Sequence, residues 1–213
     1  ELTDGIKKAK IYVCGLGLFE LKVNGELPDD SVLKPAHTQY EDTINYNVYD
    51  VTQLLTEGKN AVTVELGNGF YNLTDDISID FYYGVWRDDP KLLLELHVEY
   101  ENGEKEIVVS DETWRCYDNG PIRVNNIYCG EQYDATMEVD GWTDADFDDS
   151  NWNNALKAIP PKGELKLCEA EPVVAECELK PVDIFESKGG YIYDFGQVNA
   201  GICRLKVKGT KGQ

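Results

Sequence analysis

The run NNIYCGEQYDA, residues 125–135, sets two carboxylates, Glu131 and Asp134, among two phenols, Tyr128 and Tyr133. Paired carboxylates are the working groups of most glycosidases, one acting as acid and the other as base or nucleophile across a gap of about 5 to 9.5 Å. Two acids at i and i+3 on one strand or turn reach only the lower end of that range. The neighbouring residues offer nothing that would hold their proton affinities apart, as acid–base chemistry at one pH requires. The run therefore reads as scaffold. Its acids are expected to hydrogen-bond between loops and its phenols to pack on a sandwich, and Glu131, Tyr133 and Asp134 stand as candidate sugar contacts.

The stretch ELGNGFYN carries a second candidate site. Gly67 and Gly69 let the backbone turn sharply and approach a ligand closely. Phe70 and Tyr71 offer flat faces for the C–H surface of a sugar, and Asn68 can pair with its hydroxyls. A strand-end turn with its aromatics in the core accounts for the same residues and is the preferred reading. The acidic loop that follows could hold Ca2+ through Asp75, Asp76 and Asp80, or simply be solvated. In DGWTDADFDDSNW, Asp144, Asp146 and Asp148 alternate as in an EF-hand. Asp149 stands where that loop needs Gly, however, and Ala155 where it needs Glu, so the run is read as a turn with Asp caps that anchors Trp142 and Trp152.

The elements that must position these residues are strands. Apolar and polar residues alternate in KIYVCG, FELKVNGEL, INYNVYDV, NAVTVELG, LLLELHVEYENGEKEIVVS, YIYDFG and GICRLKVKG, the period-2 pattern of half-buried β-structure. Asn24-Gly25 and Asn102-Gly103 suit type I′ hairpin turns. One short helix is expected in YDVTQLLTEGKN, capped by Asp50 and ended by Gly58. Many short strands with Gly- and Asn-rich turns predict a sandwich. The proline-rich stretch LKAIPPKGELKLCEAEPVVAECELKPVD reads as a connection, giving a first domain over 1–157, an extended link over 158–182, and the start of a second β domain over 183–213.

The 213 residues carry 40 acidic and 20 basic side chains, a formal charge of -20, which argues against nucleic acid and anionic membrane surfaces as partners. No apolar run approaches the roughly 20 residues that a membrane-spanning helix needs. The six cysteines show no C-x-x-C spacing, and the two histidines are too few to complete a zinc site with them. Separate thiols in a reducing, cytoplasmic compartment are the preferred expectation, with export left open. The opening ELTDGIKKAK shows no initiator Met or signal pattern, and KVKGTKGQ stops directly after a strand pattern, so a segment of a longer protein is expected.

Taken in order, GLGLFELKVNGE, YNVYDVTQLLTEGKNAVTVELGNGFYN, NIYCGEQYDA, FDDSNW and YDFGQVNAGICRLKVKG resemble the non-catalytic N-terminal region of bacterial α-L-rhamnosidases, glycoside hydrolase family 78. The resemblance spans nearly the whole chain. It implies an all-β fold: a galactose-binding-like, jelly-roll type β-sandwich, then the start of a second, truncated β-sandwich opening at YDFGQ. It also implies an accessory module, with a role in carbohydrate binding, in an enzyme that removes terminal α-L-rhamnose from rhamnosides with inversion. In that family the catalytic acids lie in a later (α/α)6 barrel, so no catalytic residue is assigned here and the partners implied are rhamnose-containing glycosides and the remaining domains of the same chain. The sequence departs from the family pattern at His37 and Phe70, where Trp is usual, at Thr136, where Arg is common, and at Val198, inserted before Asn199. A non-enzymatic β-sandwich interaction module of a surface or signalling protein is the alternative.

Overall fold

A computed structural model of the chain describes residues 1–73, 83–206 and 208–209. Its strands are β1 (Ile6–Leu16), β2 (Leu18–Val23), β3 (Thr43–Asp50), β4 (Val62–Gly67), β5 (Lys91–Tyr100), β6 (Lys105–Val109), β7 (Arg115–Cys116), β8 (Ile122–Asn126), β9 (Gly130–Tyr133), β10 (Asn153–Asn154), β11 (Glu164–Leu167), β12 (Asp183–Ser187) and β13 (Gly190–Asp194). The chain divides into two compact units, Glu1–Val173 and Val174–Gln213. The stretch 158–182, expected as a plain connection, thus contributes β11 to the first unit, where it pairs in parallel with β3.

The first unit is built on a five-stranded sheet, order β11-β3-β1-β5-β6, with β2 and β4 paired separately. The alternating pattern explains how the two layers meet. Ala9, Ile11 and Val13 of β1 and Leu94, Leu96 and Val98 of β5 point inward and join Phe19, Leu21 and Val23 of β2 in one buried cluster, against which Val62, Val64 and Leu66 of β4 pack. Cys14, Leu16, Tyr40, Ile44 and Tyr71 form a second cluster further along β1. This is the expected all-β, galactose-binding-like sandwich. In the second unit, β12 and β13 form a hairpin turned by Lys188 and Gly189, both at positive φ (50° and 80°), as a type I′ turn requires.

Four local expectations change. YDVTQLLTEGKN forms a turn, not a helix: Asp50 accepts hydrogen bonds from the Thr52 N–H (3.1 Å) and hydroxyl (2.6 Å), and the Leu54 N–H donates to the Val51 carbonyl (3.0 Å). One turn already buries Val51 and Leu55, so nothing offsets the cost of nucleating a helix. Asn24 and Gly25 form the expected turn with φ of 51° and 81°, yet β2 pairs with β4, and the residues after the turn add only the Val23–Glu26 bridge. At the β5–β6 turn only Gly103 has positive φ (85°), and its N–H donates to the Tyr100 carbonyl at 2.9 Å, a type I turn closed by a glycine bulge. The described residues of GICRLKVKG form no strand.

Leu21 is 0% exposed at the centre of the seam. Leu21→Ala is expected to cost about 2–5 kcal/mol, read by thermal unfolding as a fall of roughly 2–4 °C per kcal/mol for a chain of this size.

Candidate functional site

At one end of the sandwich the β1–β2 junction fixes the loop after β4. Gly17 has φ of 107°, and a Cβ there would stand 2.1 Å from the Gly67 carbonyl oxygen. Gly69 has φ of 51°, and its Cβ would stand 2.9 Å from the Gly17 carbonyl carbon. These glycines serve a close approach of backbone to backbone. The loop is also tied to β8: the Asn68 N–H donates to Asn125 Oδ1 (3.0 Å), and Asn68 Nδ2 donates to the Asn125 carbonyl (2.8 Å). Asn72 closes the loop on itself, its N–H donating to the Asn68 carbonyl (3.0 Å) and its Nδ2 to Asn68 Oδ1 (3.1 Å). The polar groups of Asn68 are therefore spent on the fold. Tyr71 is buried in the second cluster, as the structural reading expected.

Phe70 is placed differently. Its ring lies 4.8 Å from His37 and 6.1 Å, edge to face, from Tyr128. His37 in turn meets Tyr40 (5.5 Å), and Tyr40 meets Tyr71 edge to face at 4.9 Å. An open groove of about 720 Å3 lies beside this aromatic chain, lined by His37, Thr38, Gln39, Glu41, Val85 and Trp86. The Trp86 Nε1–H donates to the Phe70 carbonyl at 3.4 Å. Lys91 anchors the segment behind Trp86, donating from Nζ to Asp88 Oδ2 (2.6 Å), the Asp89 carbonyl (3.1 Å) and the Tyr71 hydroxyl (3.4 Å).

The loop that carries His37 is held just as firmly. Lys34 is buried, with Nζ 2.9 Å from Asp29 Oδ1 and 4.9 Å from the centre of the Tyr49 ring. Burial works against the Asp29 charge, but hydrogen bonds from Lys34 and Ser31 outweigh it and hold the carboxyl below its usual range. The Lys34 carbonyl accepts from the Phe19 N–H at 2.8 Å, Asn45 Nδ2 donates to the Ala36 carbonyl at 3.2 Å, and the Thr38 hydroxyl donates to the Thr43 carbonyl at 2.7 Å. Burial lowers the His37 pKa and raises that of Tyr40 to about 12, so both rings are neutral near pH 7.

The run NNIYCGEQYDA forms a β8–β9 hairpin whose turn is capped by Asn126 Oδ1, which accepts from the N–H groups of Tyr128 (2.8 Å) and Cys129 (2.9 Å). Asp134 is exposed and accepts from the Thr136 N–H (2.9 Å) and hydroxyl (2.7 Å), capping the short 3-10 turn Ala135–Met137. These bonds lower its pKa. The Tyr133 hydroxyl donates to Glu138, a bond that pushes its pKa up to about 12. Glu131 is exposed on β9, opposite Asn125, and contributes to the electrostatic field at Glu65. The structure therefore brings Phe70 and Tyr128 to the aromatic end and leaves Glu131, Tyr133 and Asp134 on the hairpin's own surface.

Asp75, Asp76 and Asp80 lie outside the described residues. Among the described residues no group of three or more His, Cys, Asp or Glu side chains is placed to hold a metal ion. Asp144 and Asp148 sit in successive tight turns, Asp146 pairs with Lys59 (2.8 Å), Trp152 stacks on Tyr117 (5.1 Å), and Trp142 lies under Lys22. In the sequence His37 stands out only as a departure from the family pattern, and Tyr40, Trp86, Lys91 and Asn125 are not marked by any motif. The usable signal was the second aromatic run, YYGVW, which closes the acidic loop.

The architecture is that of a galactose-binding-like sandwich with an aromatic groove among its end loops. The chain matches the family model described as the Alpha-L-rhamnosidase N-terminal domain over residues 4–176, and it belongs to that family. It is 37% identical over 228 residues to an Alpha-L-rhamnosidase of Formosa agariphila, an alignment covering 100% of this chain and 23% of that protein. Among solved structures, the alpha-L-rhamnosidase from Dictyoglumus thermophilum is 43% identical with a TM-score of 0.83, over 92% of this chain and 21% of the other. The Streptomyces avermitilis alpha-L-rhamnosidase, solved as a complex with L-rhamnose, is 31% identical with a TM-score of 0.83, over 92% of this chain and 19% of the other. The chain thus spans less than a quarter of the length of these relatives.

Asn125→Ala leaves the Asn68 N–H without its acceptor, which is expected to cost about 1–3 kcal/mol, seen as a lower melting temperature and faster amide exchange in residues 67–72. Full stability with unchanged exchange would show that the loop holds without this clamp. Glu65 supplies a pH dependence. Its pKa is raised by burial first and then by Glu20, directly opposite on β2, and by Glu131, with Lys22 opposing. Because the folded pKa lies above the unfolded one, Glu65 carries no penalty where both states are protonated. Stability is lost as pH rises from the ordinary value of 4.5 through the folded pKa. Glu65→Gln is expected to raise the melting temperature at pH 7 and to flatten this part of the profile; an unchanged profile would show that Glu65 is not its source.

Proposed function

We propose that the chain is the accessory N-terminal module of an α-L-rhamnosidase, and that its end-loop groove makes weak contact with rhamnose-containing glycosides while hydrolysis is carried by parts of the enzyme outside this segment. The observation that carries the sugar-contact reading is the groove between His37 and Trp86. Aromatic faces there stand beside the hydrogen-bonding side chains of Thr38, Gln39 and Glu41, the combination that packs on sugar C–H surfaces and pairs with hydroxyls. The neutral His37 ring suits an uncharged ligand. The six cysteines, none of them in a disulfide, support a reducing, cytoplasmic setting for the parent enzyme.

An open groove buries few atoms of a monosaccharide, so Kd should be on the order of 1 mM, about -4 kcal/mol. Titration of L-rhamnose followed by NMR is expected to shift resonances of residues 37–41, Phe70, Val85 and Trp86 saturably, and Trp86→Ala should abolish the shifts while leaving the β1–β5 resonances in place. Running the titration with calcium and with chelator tests whether Asp75, Asp76 and Asp80 bring Ca2+ to the site. Saturable shifts confined to Glu131, Tyr133 and Asp134 would move the site to the hairpin. No shifts at any attainable concentration would leave the module a structural one.

A further inference from the structure

Four Asn-Gly dipeptides occur in the chain, at Asn24-Gly25, Asn68-Gly69, Asn102-Gly103 and Asn119-Gly120. Each could in principle undergo spontaneous imide formation, because glycine places no Cβ next to the attacking backbone nitrogen. The fold treats them unequally. Asn24 Nδ2 donates to the Leu54 carbonyl and to Asn60 Oδ1, both at 2.8 Å, while its Oδ1 accepts from the Ala61 N–H at 2.8 Å. Asn68 is held by Asn125 and Asn72, as described above. Asn102 accepts from the Glu104 N–H (2.9 Å) and donates to Glu104 Oε2 (2.8 Å), and the Gly103 nitrogen, the nucleophile of the reaction, is occupied as a donor to Tyr100.

Asn119 is exposed and lies in an irregular segment between β7 and β8. Its Nδ2, the leaving group, and the Gly120 N–H make no hydrogen bond among the described residues. Among the described residues its side chain hydrogen-bonds to Arg123, whose Nη1–H donates to Asn119 Oδ1 at 3.1 Å and to the Gly120 carbonyl at 3.0 Å. A guanidinium donor on the amide oxygen draws charge from Cγ and stabilises the oxyanion that forms when Cγ is attacked.

We propose that Asn119-Gly120 is a self-modification site, at which the Arg123-polarised side-chain amide deamidates through a cyclic imide while the other three Asn-Gly pairs are protected by the fold. The Gly120 nitrogen loses its proton and bonds to Cγ of Asn119, the Cγ–Nδ2 bond breaks, and ammonia leaves carrying the proton. Water then opens the five-membered imide at Cγ to give aspartate, or at the main-chain carbonyl to give isoaspartate. The product adds a carboxylate beside Arg123. In the isoaspartate form it also adds a backbone methylene just ahead of Pro121, whose carbonyl accepts from the Asp134 N–H at 2.8 Å at the base of the β8–β9 hairpin.

The test is to age the purified chain in mildly alkaline buffer and follow the one-dalton gain at each Asn by peptide mass spectrometry. Two or more amide hydrogen bonds must break before the other three can react, so Asn119 should convert faster by roughly tenfold or more. In strong denaturant the four rates should converge. A Cβ at Gly120 meets nothing within 4 Å, so Gly120→Ala should fold with unchanged melting temperature and suppress conversion at Asn119. Arg123→Gln, which takes away the charged donor, should slow conversion as well. Equal rates in the native chain, or a preference for Asn119 that survives in denaturant, would overturn the role of the fold, and undiminished conversion in Arg123→Gln would overturn that of the guanidinium.

Discussion

The apolar seam between β1 and β5 on one side and β2 and β4 on the other sets the register on which the end loops depend. β1 feeds Ala9, Ile11 and Val13 into that seam and then Cys14 and Leu16 into the second cluster. Because side chains alternate along a strand, a slip of one residue would turn Ile11 and Val13 to solvent and bring Lys10 and Tyr12 inside. The fixed register places Gly17 directly against Gly67 and Gly69, where even one additional methyl group would collide with backbone. The loop after β4 therefore takes its position from the core, and Asn125 transmits that position to β8.

Polar groups complete what the seam begins. Buried Lys34 would be costly alone; the Asp29 carboxylate and the faces of Phe19 and Tyr49 compensate it. Lys91 does the same at the opposite wall, donating to Asp88 and Tyr71 with only 12% of its side chain exposed. The two lysines act as pins for the segments that carry His37 and Trp86. The groove between those segments is thus formed by anchored elements, an arrangement that lowers the ordering cost of any binding there.

Much of the fold was legible because period-2 alternation is a direct consequence of burying one face of a strand. LLLELHVEY reads Leu94, Leu96, Val98 and Tyr100 inward, and so they lie. What the sequence concealed were chiefly partners, together with a few elements: a turn where a helix is expected and a strand, β11, inside an expected connection. Nothing local shows that β2 pairs with β4 across the intervening β3, or that GELKL adds a parallel strand beside β3. The candidate site was legible in the same partial way. Aromatic residues near Gly67 and Gly69 could be seen to matter, but Phe70 packs against His37 and Tyr128 while adjacent Tyr71 is core. The lining residues come from segments far apart in sequence, joined only by packing.

The hairpin that first suggests a glycosidase shows why paired acids in sequence seldom make a pair in space. Side chains at i and i+3 where β9 passes into a tight turn diverge. Asp134 folds back onto the backbone it caps, while Glu131 stays on the strand, close enough to Glu65 to help raise its carboxyl. A working pair needs one carboxyl kept protonated and the other ionised across the scissile bond. Here the group with the raised pKa, Glu65, lies beneath like charges on the β2–β4 face, and the group with the lowered one, Asp134, is bound to Thr136. The two do not bracket a common space in the aromatic groove. The acids of this hairpin surface shape its electrostatics on a chain of net charge -20, whereas the groove sets the rings of His37 and Trp86 beside Thr38, Gln39 and a single carboxylate, Glu41.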